Sequence, residues 1–208
     1  KIHVATNSAN FDLINSFIKS KNIIKEKYII YFGNLGDVNC TKEIIEIFKI
    51  YLKKYNSKIK FLIVGGGQHE EHVINESKQN KNIIFFKSVD KKKLIPLIKN
   101  AELSVLPLRS GLIINTSSPN KFFESIACGT PVFQSTTGWI KDIIDKNKLG
   151  FNFDIDNYEE AAFLLNLSLE KINDDYVANC LHFSQQNFDK KQISINYLTF
   201  LNENSILS

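Results

Sequence analysis

Four consecutive apolar residues, Phe61-Leu62-Ile63-Val64, run directly into Gly65-Gly66-Gly67, and no other feature of the chain restricts its fold as much. A strand with one face in water alternates apolar and polar side chains. A run without alternation must be covered on both faces, which is the situation of a strand inside a parallel sheet. The unit recurs. Residues 28–32 read Tyr-Ile-Ile-Tyr-Phe and stop at the turn-forming Gly33-Asn34-Leu35-Gly36-Asp37, and shorter apolar runs follow at 82–86, 103–106 and 130–133. Between them, helical spacing appears at 43–52, with Lys and Glu on the outer face, and at 91–99. Strands alternating with helices predict an α/β fold, a doubly wound parallel sheet of Rossmann-like type over about 25–154.

Helical patterns continue at 157–170, 174–186 and 190–202, while residues 1–24 are poorly patterned. The expected organisation is a connector at 1–24, one Rossmann-like unit at 25–188, and a terminal helix at 189–208 packing toward an upstream domain. Since the sequence contains no methionine, the chain is expected to be part of a longer protein.

Composition removes several classes of function. No apolar run approaches the roughly 20 residues of a spanning helix, and the start lacks the pattern of a signal peptide. The net charge of +4 is almost all lysine, with Arg109 the single arginine. A nucleic-acid partner, for which arginine is favoured, is therefore not expected. Three widely spaced cysteines argue against a disulfide framework or zinc site and for a reducing cytoplasm.

Ligands of such sheets bind beyond the carboxyl ends of the strands, so the loops at 33–39, 65–67 and 106–124 hold the candidates. In the third, Ser117-Ser118-Pro119-Asn120-Lys121 opens a helix, with Ser118 suited to the N-cap and Pro119 to the first turn. Free N–H groups there, with Lys121 beside them, suit a diphosphate. Glu124, one turn on, could accept hydrogen bonds from sugar hydroxyls. Local chemistry leaves a second reading open: a simple capped helix with Glu124 in solvent.

Three other features carry less weight. His69-Glu70-Glu71-His72 has two histidines at i and i+3, without the His-Glu-x-x-His spacing of a zinc site or a third ligand, and is expected to be a solvated helix face. Lys91-Lys92-Lys93 is expected to be solvated surface, with a peripheral membrane contact left open. Trp139 is expected to anchor a loop more than to stack on a sugar.

The segment Ser118-Pro119-Asn120-Lys121-Phe122-Phe123-Glu124-Ser125-Ile126-Ala127-Cys128-Gly129-Thr130-Pro131-Val132 closely resembles the helix-to-strand segment of the GT-B glycosyltransferases, in particular the retaining group typified by family 4. Ile29 to Gly36, Phe61 to Gly67, Ile84 to Val89 and Ala101 to Pro107 resemble successive strands and loops of the family's nucleotide-sugar-binding C-terminal half. Lys1 to Ser8 resembles the connector before it.

The resemblance implies a hexosyltransferase acting on a nucleoside diphosphate sugar, UDP-linked by preference. The acceptor would be a saccharide or lipid-linked molecule in cell-surface polysaccharide synthesis. The enzyme would be cytoplasmic, at or near the inner face of the membrane. It implies roles for Glu124 at the ribose, for Gly33, Asn34, Gly36, Ser118, Asn120 and Lys121 around the diphosphate, and for Lys87 and Val89 beside the base. Neither cofactor nor metal is implied.

The sequence departs from the family at two points. Asn34 and Asn39 stand where many members carry an Arg and a Lys, and Thr116 stands where a second Glu is common. Lys121 and Arg109 are therefore expected to supply the positive charge that stabilises the departing diphosphate, the catalytic task here. Two alternatives go with the resemblance: a nucleotide-sugar-binding or partner subunit without catalysis, and a GT-B epimerase.

Overall fold

The computed structural model describes residues 6–17, 24–55, 57–109 and 111–204. Six parallel strands form its centre: β1 (Tyr28–Asn34), β2 (Lys60–Gly66), β3 (Ile83–Lys87), β4 (Leu103–Leu106), β5 (Val132–Gln134) and β6 (Gly150–Asn152). Their spatial order is β3-β2-β1-β4-β5-β6. The doubly wound parallel sheet expected from the apolar runs is therefore present, and the chain reverses its direction of winding between β1 and β4.

Both faces of the sheet are covered, as the absence of alternation requires. Ile29 and Tyr31 of β1 point into a layer built with Ile44, Ile45 and Phe48 of α2 (Thr41–Tyr55) and Ala161, Ala162 and Leu165 of α8 (Tyr158–Lys171). Tyr28, Ile30 and Phe32 point the other way, toward Ile95 and Ile98 of α4 (Lys91–Lys99) and Ile14 of α1 (Phe11–Asn15). Each fully buried side chain of this size stabilises the fold by about 1.5–3 kcal/mol before the entropy cost of fixing the chain is counted. A third apolar cluster joins Phe122, Phe123 and Ile126 of α6 (Asn120–Ala127) to Ile140 and Ile144 of α7 (Trp139–Asn147) and to Cys180 and Phe188 of α9 (Asp174–Phe188). This third cluster fixes α6, and with it residue 121, against the end of the sheet.

Some elements differ from the sequence reading. Both β1 and β2 run on through their glycines, pairing Gly33 with Gly65 and Asn34 with Gly66. Residues 139–152, which the sequence reading leaves unassigned, form α7 and the short strand β6, while α3 (Glu70–Gln79) and the one-turn α5 (Leu112–Asn115) follow β2 and β4 in the chain. The poorly patterned start is not featureless either: Asn10 caps α1 by accepting from the N–H of Leu13. Ala9 exchanges backbone hydrogen bonds with the chain just after α9, its N–H donating to Phe188 O and its carbonyl accepting from Lys190. The last helix, α10 (Lys190–Asn204), buries no residue and exposes Ile195, Leu198 and Leu201 at a spacing of three. No helix among the described residues is long and apolar enough to cross a membrane.

Candidate functional site

The winding reverses between β1 and β4, and a sheet of this order receives ligands beyond the carboxyl ends of the strands at such a point. On the β1 side, the turn after Gly33 is closed by Thr41, whose Oγ1 accepts from the Gly36 N–H at 3.0 Å. A single 3-10 turn, Asp37–Asn39, follows and ends at Cys40 in the left-handed region. That sequence of turns faces the Asn39 side chain back toward β1.

Lys121 fills the space so formed. Its ammonium donates to Asn39 Oδ1 at 2.7 Å and to the Tyr31 hydroxyl at 2.9 Å, and lies 4.4 Å from the centre of the Tyr31 ring. The Tyr31 hydroxyl spends its own proton on the carbonyl of Asn34, which leaves an oxygen lone pair for the lysine. Gly33, at φ +124°, leaves room for the lysine stem to cross: a Cβ there would lie 2.5 Å from Lys121 Cε. Burial lowers the Lys121 pKa from 10.5 to about 7, because both acceptors are neutral and offset only part of the lost hydration. No described carboxylate forms an ion pair with it. A half-buried cation without an anion is costly to keep, and its natural complement is an anionic ligand.

The helix that carries Lys121 starts later than its sequence suggests. Pro119, not Ser118, occupies the N-cap position of α6, in extended conformation and without a side-chain cap bond. The expectation of a Ser118 cap is corrected on this point: Pro119 has a φ of −70° that a helix would accept, but its ψ of 126° keeps it extended, so the first helical residue is Asn120. The hydroxyl oxygens of Ser117 and Ser118 are instead buried without a hydrogen-bond partner. Since the first N–H groups of any helix lack intrahelical acceptors, the Asn120 and Lys121 amides are available beside the ammonium.

Glu124 is not the solvated residue of the simpler reading. It is half-buried, with its Oε1 2.5 Å from the Lys91 ammonium, so Lys91 also leaves the purely solvated set while Lys92 and Lys93 stay exposed. Of the residues suggested for the base, Lys87 is exposed and 3.7 Å from Glu70 Oε1. Val89 turns its side chain into the apolar layer, leaving its backbone as the polar part on offer.

Arg109 lies apart from this group. Its guanidinium pairs with Glu43 of α2 and its N–H donates to Val38 O, so it braces the outside of the first loop and forms no bond with the Lys121 cluster. Trp139 acts as an anchor, its indole N–H donating to Ser117 O at 2.9 Å while the ring meets Phe122 and Phe123. His69 corrects the expectation of a solvated face. It is 4% exposed, and its backbone N–H donates to Leu35 O at 3.0 Å, which ties the second loop to the first. The Asn34 side chain packs against the second loop, its Oδ1 2.5 Å from the place a Cβ on Gly67 would take. Sequence alone does not point to Tyr31 or Lys91 as residues of the site. Both belong to patterns with a sufficient structural explanation in sequence, a strand interior and a charged helix start.

The model of the family described as glycosyl transferases group 1 matches residues 14–178. The comparison with curated proteins finds no match. Among solved structures, the sucrose-phosphate synthase from Thermosynechococcus elongatus matches at a TM-score of 0.70 and 17% identity, over 97% of this chain and 52% of its own. HepE of Anabaena, solved with UDP and glucose, matches at 0.73 and 15%, over 96% of this chain and 56% of its own. The C-terminal domain of a glycosyl transferase group 1 family protein, LpcC, from Francisella tularensis matches at 0.65 and 17%, over 90% of this chain and 97% of that domain. The chain thus spans about half the length of the first two and nearly all of an isolated C-terminal domain.

Proposed function

Because this chain belongs to the group 1 glycosyl transferases, we propose that it is the donor-binding half of a retaining glycosyltransferase that moves a hexose from a nucleoside diphosphate sugar, a UDP-sugar first among candidates, to a saccharide or lipid-linked acceptor. The observation that carries the proposal is the Lys121 ammonium, which is half-buried, held by two neutral oxygens and without a carboxylate, beside the free amides of α6. A diphosphate would supply the missing negative charge. Fixed donors aimed at a leaving group that gains charge stabilise the transition state without a protein nucleophile. Glu124 is assigned to the ribose, the loop at 33–36 to the phosphates, and the backbone at 87–89 to the base. The fold likeness to HepE, solved with UDP-glucose, makes UDP the first nucleotide to try.

The remaining parts of the reading follow from this. The acceptor would be held by an upstream domain, and the apolar stripe Ile195, Leu198 and Leu201 of α10 would pack toward it. The 208-residue chain alone would bind nucleotide and transfer nothing. No metal or cofactor enters the scheme. A role in cell-surface polysaccharide synthesis, at the inner face of the membrane, completes it.

Calorimetric titration with UDP, GDP and UDP-glucose tests the proposal. A charge-assisted contact is worth about 1.5–3 kcal/mol, so Lys121→Ala is expected to weaken the best ligand by roughly ten- to a hundredfold. If the unaltered protein binds none of the three, the donor site is refuted. The engagement of Arg109 by Glu43 favours one second reading, a binding subunit without catalysis. Nucleotide binding with no sugar transfer by the full-length protein would select it.

A further inference from the structure

The first loop, Gly33-Asn34-Leu35-Gly36-Asp37-Val38-Asn39, contains no lysine or arginine, yet a cation stands at its centre. We infer that Asn39 is a positioning residue for diphosphate binding, holding the Lys121 ammonium of the opposite helix over Gly33 so that a charge borne by α6 serves the loop after β1. The inference rests on the donor-site reading above and assigns a role to a residue that reading leaves out.

Three pieces of geometry support it. Since an ammonium only donates, the Asn39 carboxamide must present its oxygen, and it does so at 2.7 Å. The Tyr31 hydroxyl is already oriented by its bond to Asn34 O and accepts a second lysine proton. Two of the three ammonium protons are thereby fixed, leaving one to reach a ligand. Finally, Asn39 owes its direction to the 3-10 turn and to Cys40 at φ 42°, a backbone conformation that costs a non-glycine residue energy. The loop keeps this conformation at the place where it aims the carboxamide.

The neutrality of Asn39 is the specific claim. A carboxylate in its place would keep the shape, the loop and the hydrogen bond, and would cancel the charge. A residue needed only to shape the loop would tolerate that change; one that presents a cation to an anion would not.

The test compares full-length wild type and Asn39→Asp for binding of UDP and of uridine, with melting temperatures measured without ligand. UDP affinity is expected to fall by about tenfold or more, because a paired lysine no longer offers an uncompensated charge. Uridine, which has no phosphate, should bind both proteins equally. Asn39→Ala provides a second line if Asn39→Asp does not fold: it keeps the charge but releases the ammonium, and a loss of roughly three- to tenfold for UDP alone is expected. UDP binding by either folded variant within twofold of wild type overturns the inference and leaves the donor site standing. Absence of UDP binding by wild type overturns both.

Discussion

Lys91, the first residue of α4, places its ammonium 2.5 Å from Oε1 of Glu124 on α6 and so joins two helices across the end of the sheet. Lys91 is largely exposed, and such a pair contributes at most about 1 kcal/mol to stability. Its more useful effect is to fix one carboxylate oxygen and leave Oε2 to a ligand. If that ligand is the ribose diol, Glu124→Ala should weaken UDP binding by about tenfold, the value of one hydrogen-bonded charge. The same change should leave 2′,3′-dideoxy-UDP within about twofold. Parallel titrations of the two nucleotides measure it, and equal losses for both would remove Glu124 from the ribose.

Protons should follow the diphosphate. Burial brings the Lys121 pKa down to about 7 from 10.5, and an anion bound beside it favours the charged form. Above pH 7 binding must therefore take up a proton, and affinity should decline as pH rises. Calorimetry in buffers of different ionisation enthalpy reads the uptake directly. The effect on stability has its own sign. Between about pH 7 and 10.5 the unfolded chain holds more protons at this site than the folded one, so the lysine's burden is greatest below pH 7 and lightens as pH rises. Lys121→Met should raise the melting temperature at pH 6 more than at pH 9.

Gly138 has no room for a side chain. A Cβ there would lie 1.9 Å from the carbonyl oxygen of Asn115 and 2.9 Å from its Cα, contacts that backbone cannot relieve without moving. The segment it touches leads through Ser117 into α6, where the Trp139 indole holds it. Gly138→Ala should cost about 1–3 kcal/mol by overpacking, which lowers the melting temperature by several degrees. Nucleotide affinity should fall as well, since the start of α6 shifts. Thermal melts with and without UDP separate the two effects.

The parallel sheet was legible because its strands are apolar without interruption, and that pattern has few other physical explanations. Strand β6 was not: it is three residues long, begins at Gly150, and is fixed by backbone contact, a Cβ at 150 falling 1.9 Å from Val132 O. Helix α7 escaped for the related reason that its one buried apolar pair, Ile140 and Ile144, follows a turn with no capping side chain. Within the site, the glycine turns, Lys121 and Glu124 could be picked out one by one, since each is a residue type suited to a ligand. What they touch could not. Lys121 meets Tyr31 and Asn39 across 90 and 82 positions of chain, and Arg109, an equally plausible cation by type, is taken up by Glu43 on the outside. Partner choice at such separations is decided by how α6 is wedged between Phe188, Trp139 and the sheet.

The two backbone hydrogen bonds of Ala9, one to Phe188 and one from Lys190, make the early chain and the start of α10 move as one. With Lys191 also 2.9 Å from Asp12, a pull applied to the last helix is felt by the segment before β1, and a torque on that segment turns the helix. Because Phe188 also packs on Phe122 and Phe123 of α6, strain arriving at this junction is handed on to the helix that carries Lys121 and Glu124.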